Sequence, residues 1–506
     1  MATFTTLAPI TQRPSLATRI IASQALFVSA CTALAFLLLG YHPYTEDGGI
    51  YAAAMDLRLH PSLFPADRAF AVGQTSRTLF VPLTASLTQA LHLRLPVMLL
   101  LLQVCALAAT VTAAFILAPR LFYEERQQRW AVLTLSVSLG VPIAGTSLFL
   151  CDPYITPRSF TTPLILLAIN ALLRRRFAIM AAYMAVAFAL HPLMAVWASV
   201  LLLVLLARQS TRPMLLSLTA AAVVFVCMGM VHAFSPAEGA AAHAAALSRD
   251  YWYLSEWSVP EIIGLVAPPL LLLWLTYRRT ADSTERHARD VAFSIAIAVA
   301  TVTLGSILFV HEHDTGLLLD RIQPLRLLHP VYLLLPLMLG GRLAQLLPGA
   351  IRWLPATATA LGLVCMQVST YPASGYFELP GALPTNAWVQ AFLWTRDNTP
   401  ANDVFALDAN YTTHPGEDAH TFRAIAQRSQ LPDAAKDGGI SSVMPTLAAN
   451  WQRAATAQTG LNTASDSDRI RRVKPLGATW VVLPTSAITA FACRYSNTAA
   501  KVCRLP

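Results

Sequence analysis

The chain has 506 residues, 55% of them hydrophobic and only 12% charged, with a mean hydropathy of +0.52. Soluble proteins carry roughly 25% charge, and one water-soluble core could not hide this much apolar surface, which leaves a polytopic membrane protein. The net charge of +9 does not point to nucleic acid, because most lysines and arginines lie between apolar runs, where the positive-inside rule accounts for them.

The first apolar run, 20–40, is too long for a signal-peptide core and is expected to stay as a helix. Ten further runs follow: 95–118, 130–150, 158–173, 177–190, 192–207, 214–233, 259–277, 291–310, 324–346 and 353–370. Together they predict an all-α membrane domain of about eleven helices over 1–370. The pair meeting at His191-Pro192 reads equally as one broken helix. Residues 78–92 are apolar but too short to span. They are expected to lie in the interface, closing a long outer loop over 41–94.

Placing the N-terminus in the cytoplasm puts sixteen cations in the inner segments, among them Arg13, Arg19, Arg174, Arg175, Arg176, Arg278 and Arg279. Eight fall in the outer loops before residue 371, and this asymmetry sets the predicted orientation. Beyond 370 the pattern changes. Polar residues dominate, with helices expected at Asn386–Arg396 and Met444–Ala455 and strands at Val404–Leu407 and Thr479–Leu483. Residues 371–506 therefore read as a small α/β domain on the outer, periplasmic side of a bacterial inner membrane. The seven cysteines show no zinc or dithiol spacing. Cys493 and Cys503 are candidates for a disulfide in that oxidising compartment, with two free thiols as the alternative.

The less common polar residues collect at the outer helix ends. Glu46 and Asp47 precede Gly48-Gly49, small residues expected to let a substrate approach closely. Asp152 and Arg158 flank the second outer loop, and His191 sits at a helix junction. His311, His313 and Asp314 share a later loop, followed by Arg321 and Arg326. Acids, imidazoles and guanidiniums gathered at one face suit an anionic group, metal-bound in one reading. Each also has an ordinary explanation: a helix cap for Glu46-Asp47, a turn for Asp152-Pro153, a kink for His191, a solvated loop for 311–314, and snorkelling for the arginines.

One helix leading into a long outer loop that opens with an acidic pair resembles the GT-C superfamily of polytopic membrane glycosyltransferases. The resemblance implies a sugar donor on a polyprenyl phosphate, with Asp47 as general base and Glu46 as its alternate. Arg326, after Gln323-Pro324, resembles the late outer-side arginine that holds the lipid phosphate, with Arg158, one residue into a helix on the same side, as backup and Arg321 as a further candidate. A divalent metal, Mg or Mn, would sit at Asp152 with His191, His311, His313 and Asp314 as further polar candidates. The Trp394–Pro400 stretch resembles bacterial members of unassigned substrate. No WWD-like acceptor motif follows the membrane domain, so transfer to asparagine is not expected. No Gly-rich nucleotide loop appears, in keeping with a lipid-linked donor. Two other readings compete. A flippase for lipid-linked glycans would place charges at the bilayer midplane and show inverted repeats. A non-catalytic binding or assembly protein would keep the fold without donor turnover.

Overall fold

A computed structural model describes residues 16–277 and 283–506. Arg13, Arg278, Arg279 and the side chain of Arg19, all assigned above to the inner face, lie outside the described residues. The helices begin with α1 (Leu16–Leu39). The segment 41–94, expected as a loop, is mostly helical: α2 (Glu46–Leu59), α3 (Arg68–Val72) and α4 (Phe80–Ala90). Then come α5 (Leu95–Leu121), α6 (Glu125–Ser138) and a two-stranded hairpin of β1 (Pro142–Ile143) and β2 (Leu148–Phe149). The series continues with α7 (Pro157–Leu173), α8 (Phe177–Leu190), α9 (Pro192–Arg208), α10 (Pro213–Ala233) and α11 (Ala240–Leu247). It closes with α12 (Val259–Leu275), α13 (Ser283–Phe309), α14 (Leu318–Arg321), α15 (Leu328–Leu346) and α16 (Trp353–Thr370).

Six helical stretches among the described residues are long and apolar enough to cross a membrane: Ala22–Leu39, α5, α10, α13, Leu318–Leu346 and Gly349–Thr370. Four shorter apolar helices, α7, α8, α9 and α12, accompany them. The expected span 130–150 is helical only over its first part. Its helix starts earlier, in a polar turn containing Glu125, Arg126 and Arg129, and ends at Ser138. Pro142 and Gly145, the latter at φ +64°, then fold the chain back as the β1–β2 hairpin. Proline cannot continue the helix, and the turn needs a residue free to take positive φ. The 177–207 pair is two helices. His191 breaks them with an extended backbone, and its Nδ1 accepts the amide of Met194 to cap α9. That cap satisfies one of the amides a helix start leaves open.

Packing separates lipid-facing from buried helices. Phe188 on α8, Val226 on α10 and Leu361 on α16 are more than half exposed, an arrangement an apolar solvent explains and water does not. On α4 the stripe Leu79, Leu83, Leu87, Leu91 is open, while Phe80, Val81, Thr84 and Ala85 are buried beneath it. A four-residue spacing keeps that stripe on one side of the helix, as an interfacial helix requires.

The C-terminal region carries α17 (Ala387–Asn398), α18 (Phe422–Ala426), α19 (Lys436–Val443), α20 (Ala448–Gln458) and α21 (Asp466–Val473). Its strands are β3 (Val404–Ala406), β4 (Ser429–Gln430), β5 (Trp480–Pro484), β6 (Ala492–Ser496) and β7 (Ala500–Arg504), in the order β4-β3-β5-β7-β6. β3 runs parallel to both neighbours, whereas β5, β7 and β6 are antiparallel. Cys493 and Cys503 face each other across β6 and β7 and form a disulfide.

Buried ion pairs fasten this region onto the 41–94 segment. Arg423 on α18 donates to Asp67 at 2.7 Å and to both oxygens of Asp437 at 3.1 Å, with all three side chains buried. Glu378 bridges two buried imidazoles, His42 at 3.0 Å and His420 at 2.9 Å. Burial opposes ionisation of Glu378, yet His420 and His42 hold its carboxyl down at about 2. Tyr41 pairs with Phe377, so the start of the first loop and the chain just past α16 meet at the same seam.

Candidate functional site

The site grows from three chain segments. The first is the start of α2, where Asp47 is the second helical residue. Gly48 and Gly49 do not leave room for a substrate, contrary to expectation. A Cβ at Gly48 would stand 2.8 Å from Tyr154, and one at Gly49 would stand 1.4 Å from the Thr421 hydroxyl. The glycines let the second loop and the C-terminal region press against α2, and that contact fixes where Asp47 points.

The second segment is the turn into α7. Gln103 of α5 donates to the backbone carbonyl of Asp152 at 2.8 Å, and His42 donates its amide to Pro153 at 2.8 Å. Thr156 and Ser159 form a reciprocal capping box around Pro157, which starts α7 with its φ already set. Arg158 thus projects from the first turn with little freedom. One terminal nitrogen donates to Asp152 Oδ2 at 2.8 Å, the other to Asp47 Oδ2 at 3.3 Å. Asp152 is 4% exposed and Arg158 9%, whereas Asp47 is 37% exposed. Burial raises the Asp152 carboxyl above the usual range; Arg158 pulls it back, Asp47 adds to the rise, and Arg326 opposes it.

Arg326 belongs to the third segment, a 3₁₀ turn at Pro324–Leu327 entered through Gln323 in the left-handed region. Its Nε donates to Gln323 Oε1 at 2.7 Å. Among the described residues its two terminal nitrogens have no hydrogen-bond partner, although the Asp47, Asp152 and Arg158 charges all act on it. It shares a small recess with Tyr251, Trp252 and Thr146.

The structure therefore brings Asp47, Asp152, Arg158 and Arg326 together, with His191 beside the two arginines. It does not bring in the others. Glu46 takes a positive φ of 49° and turns its carboxylate to Lys436 in α19, so the acidic pair is split between two tasks. Arg321 is spent on Glu238 and on the carbonyl of Ser442, and acts as a tie to the C-terminal region. Asp314 pairs with His311 and with His232, and among the described residues no hydrogen bond or ion pair joins His313 to the cluster.

Three residues of the site were not foreseen. Tyr51, one turn after Asp47, is buried with its phenol pushed up by burial and by Asp47, and pulled back by Arg158 and Arg326. Tyr154, buried in the second loop, packs on Gly48. His329 is buried one turn after Arg326 and lies 3.2 Å from the Leu150 carbonyl. Spacings of three and four residues put Tyr51 and His329 on the same faces as the charged residues, and that was the signal to follow.

The divalent ion implied by the sequence resemblance does not fit this arrangement. Both carboxylates it would use already hold the Arg158 guanidinium. Among the described residues no group of three His, Cys, Asp or Glu side chains is placed to hold a metal. A crevice of about 710 Å³ lies elsewhere and is lined by residues that include Asp56, His60, His92, Arg94 and Arg396. Asp56 is nine residues after Asp47, and at 100° per residue it faces the opposite side of α2.

No protein-family model and no curated protein matches the chain. Among solved structures, it is similar to the archaeal oligosaccharyltransferase AglB from Archaeoglobus fulgidus in complex with an inhibitory peptide and a dolichol-phosphate. The identity is 11%, the TM-score 0.48, and the match covers 92% of this chain and 70% of that one. The apo form of an oligosaccharyltransferase from the same organism gives 12% identity and a TM-score of 0.40, covering 91% and 69%. At these values the likeness assigns no role to any residue.

Proposed function

We propose that this chain is a membrane glycosyltransferase that moves a sugar from a polyprenyl-phosphate donor to a hydroxyl acceptor at the face carrying the C-terminal region. That face is the periplasmic side of a bacterial inner membrane in this reading, with the N-terminus in the cytoplasm. One observation carries it: among the described residues, Asp47, a partly open carboxylate, lies within electrostatic reach of Arg326, a guanidinium whose two terminal nitrogens have no hydrogen-bond partner.

The chemistry follows from these groups. Asp47 takes the proton from the acceptor hydroxyl as its oxygen bonds to the sugar carbon. The bond from that carbon to the phosphate oxygen breaks, and the electron pair leaves with the phosphate. Arg326 meets the growing negative charge with two parallel hydrogen bonds. Arg158 holds Asp47 in place, and the donor's hydrocarbon tail stays in the bilayer.

Purified protein in lipid nanodiscs should release polyprenyl phosphate from a sugar-loaded donor when an acceptor is present. Asp47→Asn should not. Turnover absent from the wild-type chain across short-chain polyprenyl phosphates of several sugars, with donor still bound, would favour a non-catalytic binding protein instead.

A further inference from the structure

Two acids in one partly buried site repel each other unless a cation lies between them, and an uncompensated pair keeps a proton on one member. Here the cation is covalently attached. The two arms of the Arg158 guanidinium reach Asp152 at 2.8 Å and Asp47 at 3.3 Å, and the same Asp152 oxygen lies 3.5 Å from the Thr156 hydroxyl. The supporting frame is rigid: the Thr156–Ser159 capping box, Pro157 at the helix start and the Gln103 bond to the Asp152 carbonyl. Among the described residues the Nε of Arg158 is buried without a hydrogen-bond partner, so the two carboxylates are the acceptors that orient its guanidinium.

We propose that Arg158 is a built-in cation occupying the position between Asp47 and Asp152 that a divalent metal would need, so that the centre works without one. This rests on reading the cluster as the reaction centre. A guanidinium stays protonated at any physiological pH and matches carboxylates with a fixed planar fork. Magnesium instead demands near-octahedral oxygen ligands at 2.0–2.1 Å, and one oxygen of each carboxylate is already engaged by Arg158. Arg158 sets a positive charge between the two acids and aims Asp47, and it leaves the phosphate to Arg326.

The test is metal uptake, read without turnover. Manganese titrated into the metal-stripped wild-type protein, followed by electron paramagnetic resonance and by thermal unfolding, should show no binding and no shift. Arg158→Met keeps the side-chain length but removes the charge, leaving two facing carboxylates. It should gain manganese uptake, from none to about one ion per chain. Arg158→Lys, which retains a cation, should not gain it. Stoichiometric uptake by the wild type that disappears in Asp152→Asn would overturn the proposal, as would a folded Arg158→Met that takes up nothing. Should Arg158→Met not fold, the wild-type titration with its Asp152→Asn control still decides. A wild type that binds no manganese and turns over no donor would defeat the transferase reading alone. One that turns over donor and binds manganese through Asp152 would defeat this proposal alone.

Discussion

Arg326 offers the sharpest test of the phosphate role, because its engagement is unequal. Gln323 holds Nε at 2.7 Å, which orients the guanidinium plane and leaves the two terminal nitrogens to the donor. A hydrogen bond to a charged group contributes about 1.5–3 kcal/mol net. Arg326→Lys keeps the charge but loses the second parallel bond and the Gln323 anchor. Losing one such bond weakens donor binding roughly 10- to 100-fold. Arg326→Ala removes both bonds and the charge, so its loss should be at least ~100-fold. Gln323→Ala leaves the guanidinium present but unoriented, and should fall between wild type and lysine. The assay is donor affinity by calorimetry in nanodiscs, with unfolding temperature as the control for folding. If Arg326 merely snorkels to headgroups, lysine serves equally well. An Arg326→Lys affinity equal to wild type would refute the clamp.

Asp47→Asn should lower the transfer rate by ~10²–10⁴ with donor affinity retained, whereas Glu46→Gln, whose partner is Lys436, should leave the chemical step near wild type; single-turnover rates distinguish them. Arg423→Met leaves Asp67 and Asp437 buried without their cation, a loss of about 3–5 kcal/mol, and limited proteolysis should then release the C-terminal region. The His42–Glu378–His420 bridge makes stability depend on pH at both ends. The Glu378 contribution is complete above its ordinary 4.5 and fades as pH falls toward about 2. Burial works against the His420 charge, but Glu378 raises its pKa above 6.5, so that contribution is complete below 6.5 and fades as pH climbs through the raised value. Thermal unfolding should therefore plateau between about 4.5 and 6.5 and fall on both sides, and Glu378→Gln should flatten both flanks.

The sequence showed its helices wherever apolarity ran unbroken. The runs at 95–118, 214–233 and 353–370 correspond to α5, α10 and α16, because a long apolar stretch in lipid has no alternative to helix. The 130–150 run is helical only in part, for a local reason: apolarity alone does not register Gly140, Pro142 and Gly145, which follow the helix and fold a hairpin. Buried backbone departs from helix only where the protein supplies its partners. Here β1 and β2 supply each other's. The strand starting at Val404 and the one near Thr479 were readable as short apolar runs between polar stretches. The central place of β5, parallel to β3 on one side and antiparallel to β7 on the other, was not, since strand order depends on contacts far apart in sequence.

The site was legible as a list of polar residues at one membrane face, and illegible as a set of pairings. Adjacent letters misled most. Glu46 and Asp47 read as one acidic motif, yet successive residues on a helix point about 100° apart, and the pair splits between Lys436 and Arg158. Arg326 and Arg158 both read as phosphate ligands, the second as backup to the first, and only three-dimensional placement gives them different tasks. Arg158 is already bound to two carboxylates, while Arg326 keeps both terminal nitrogens open among the described residues. That difference decides the chemistry. An arginine committed to two acids fixes a base, and an uncommitted one can receive a leaving group. The same logic explains Gly48 and Gly49, which look like space for a substrate and are instead the surface on which Tyr154 and Thr421 seat. Their absence of side chains is what holds Asp47 against Arg158. Gly48→Ala should therefore push Tyr154 away, lengthen the Asp47–Arg158 contact and lower the transfer rate, while donor affinity, which depends on Arg326, stays unchanged.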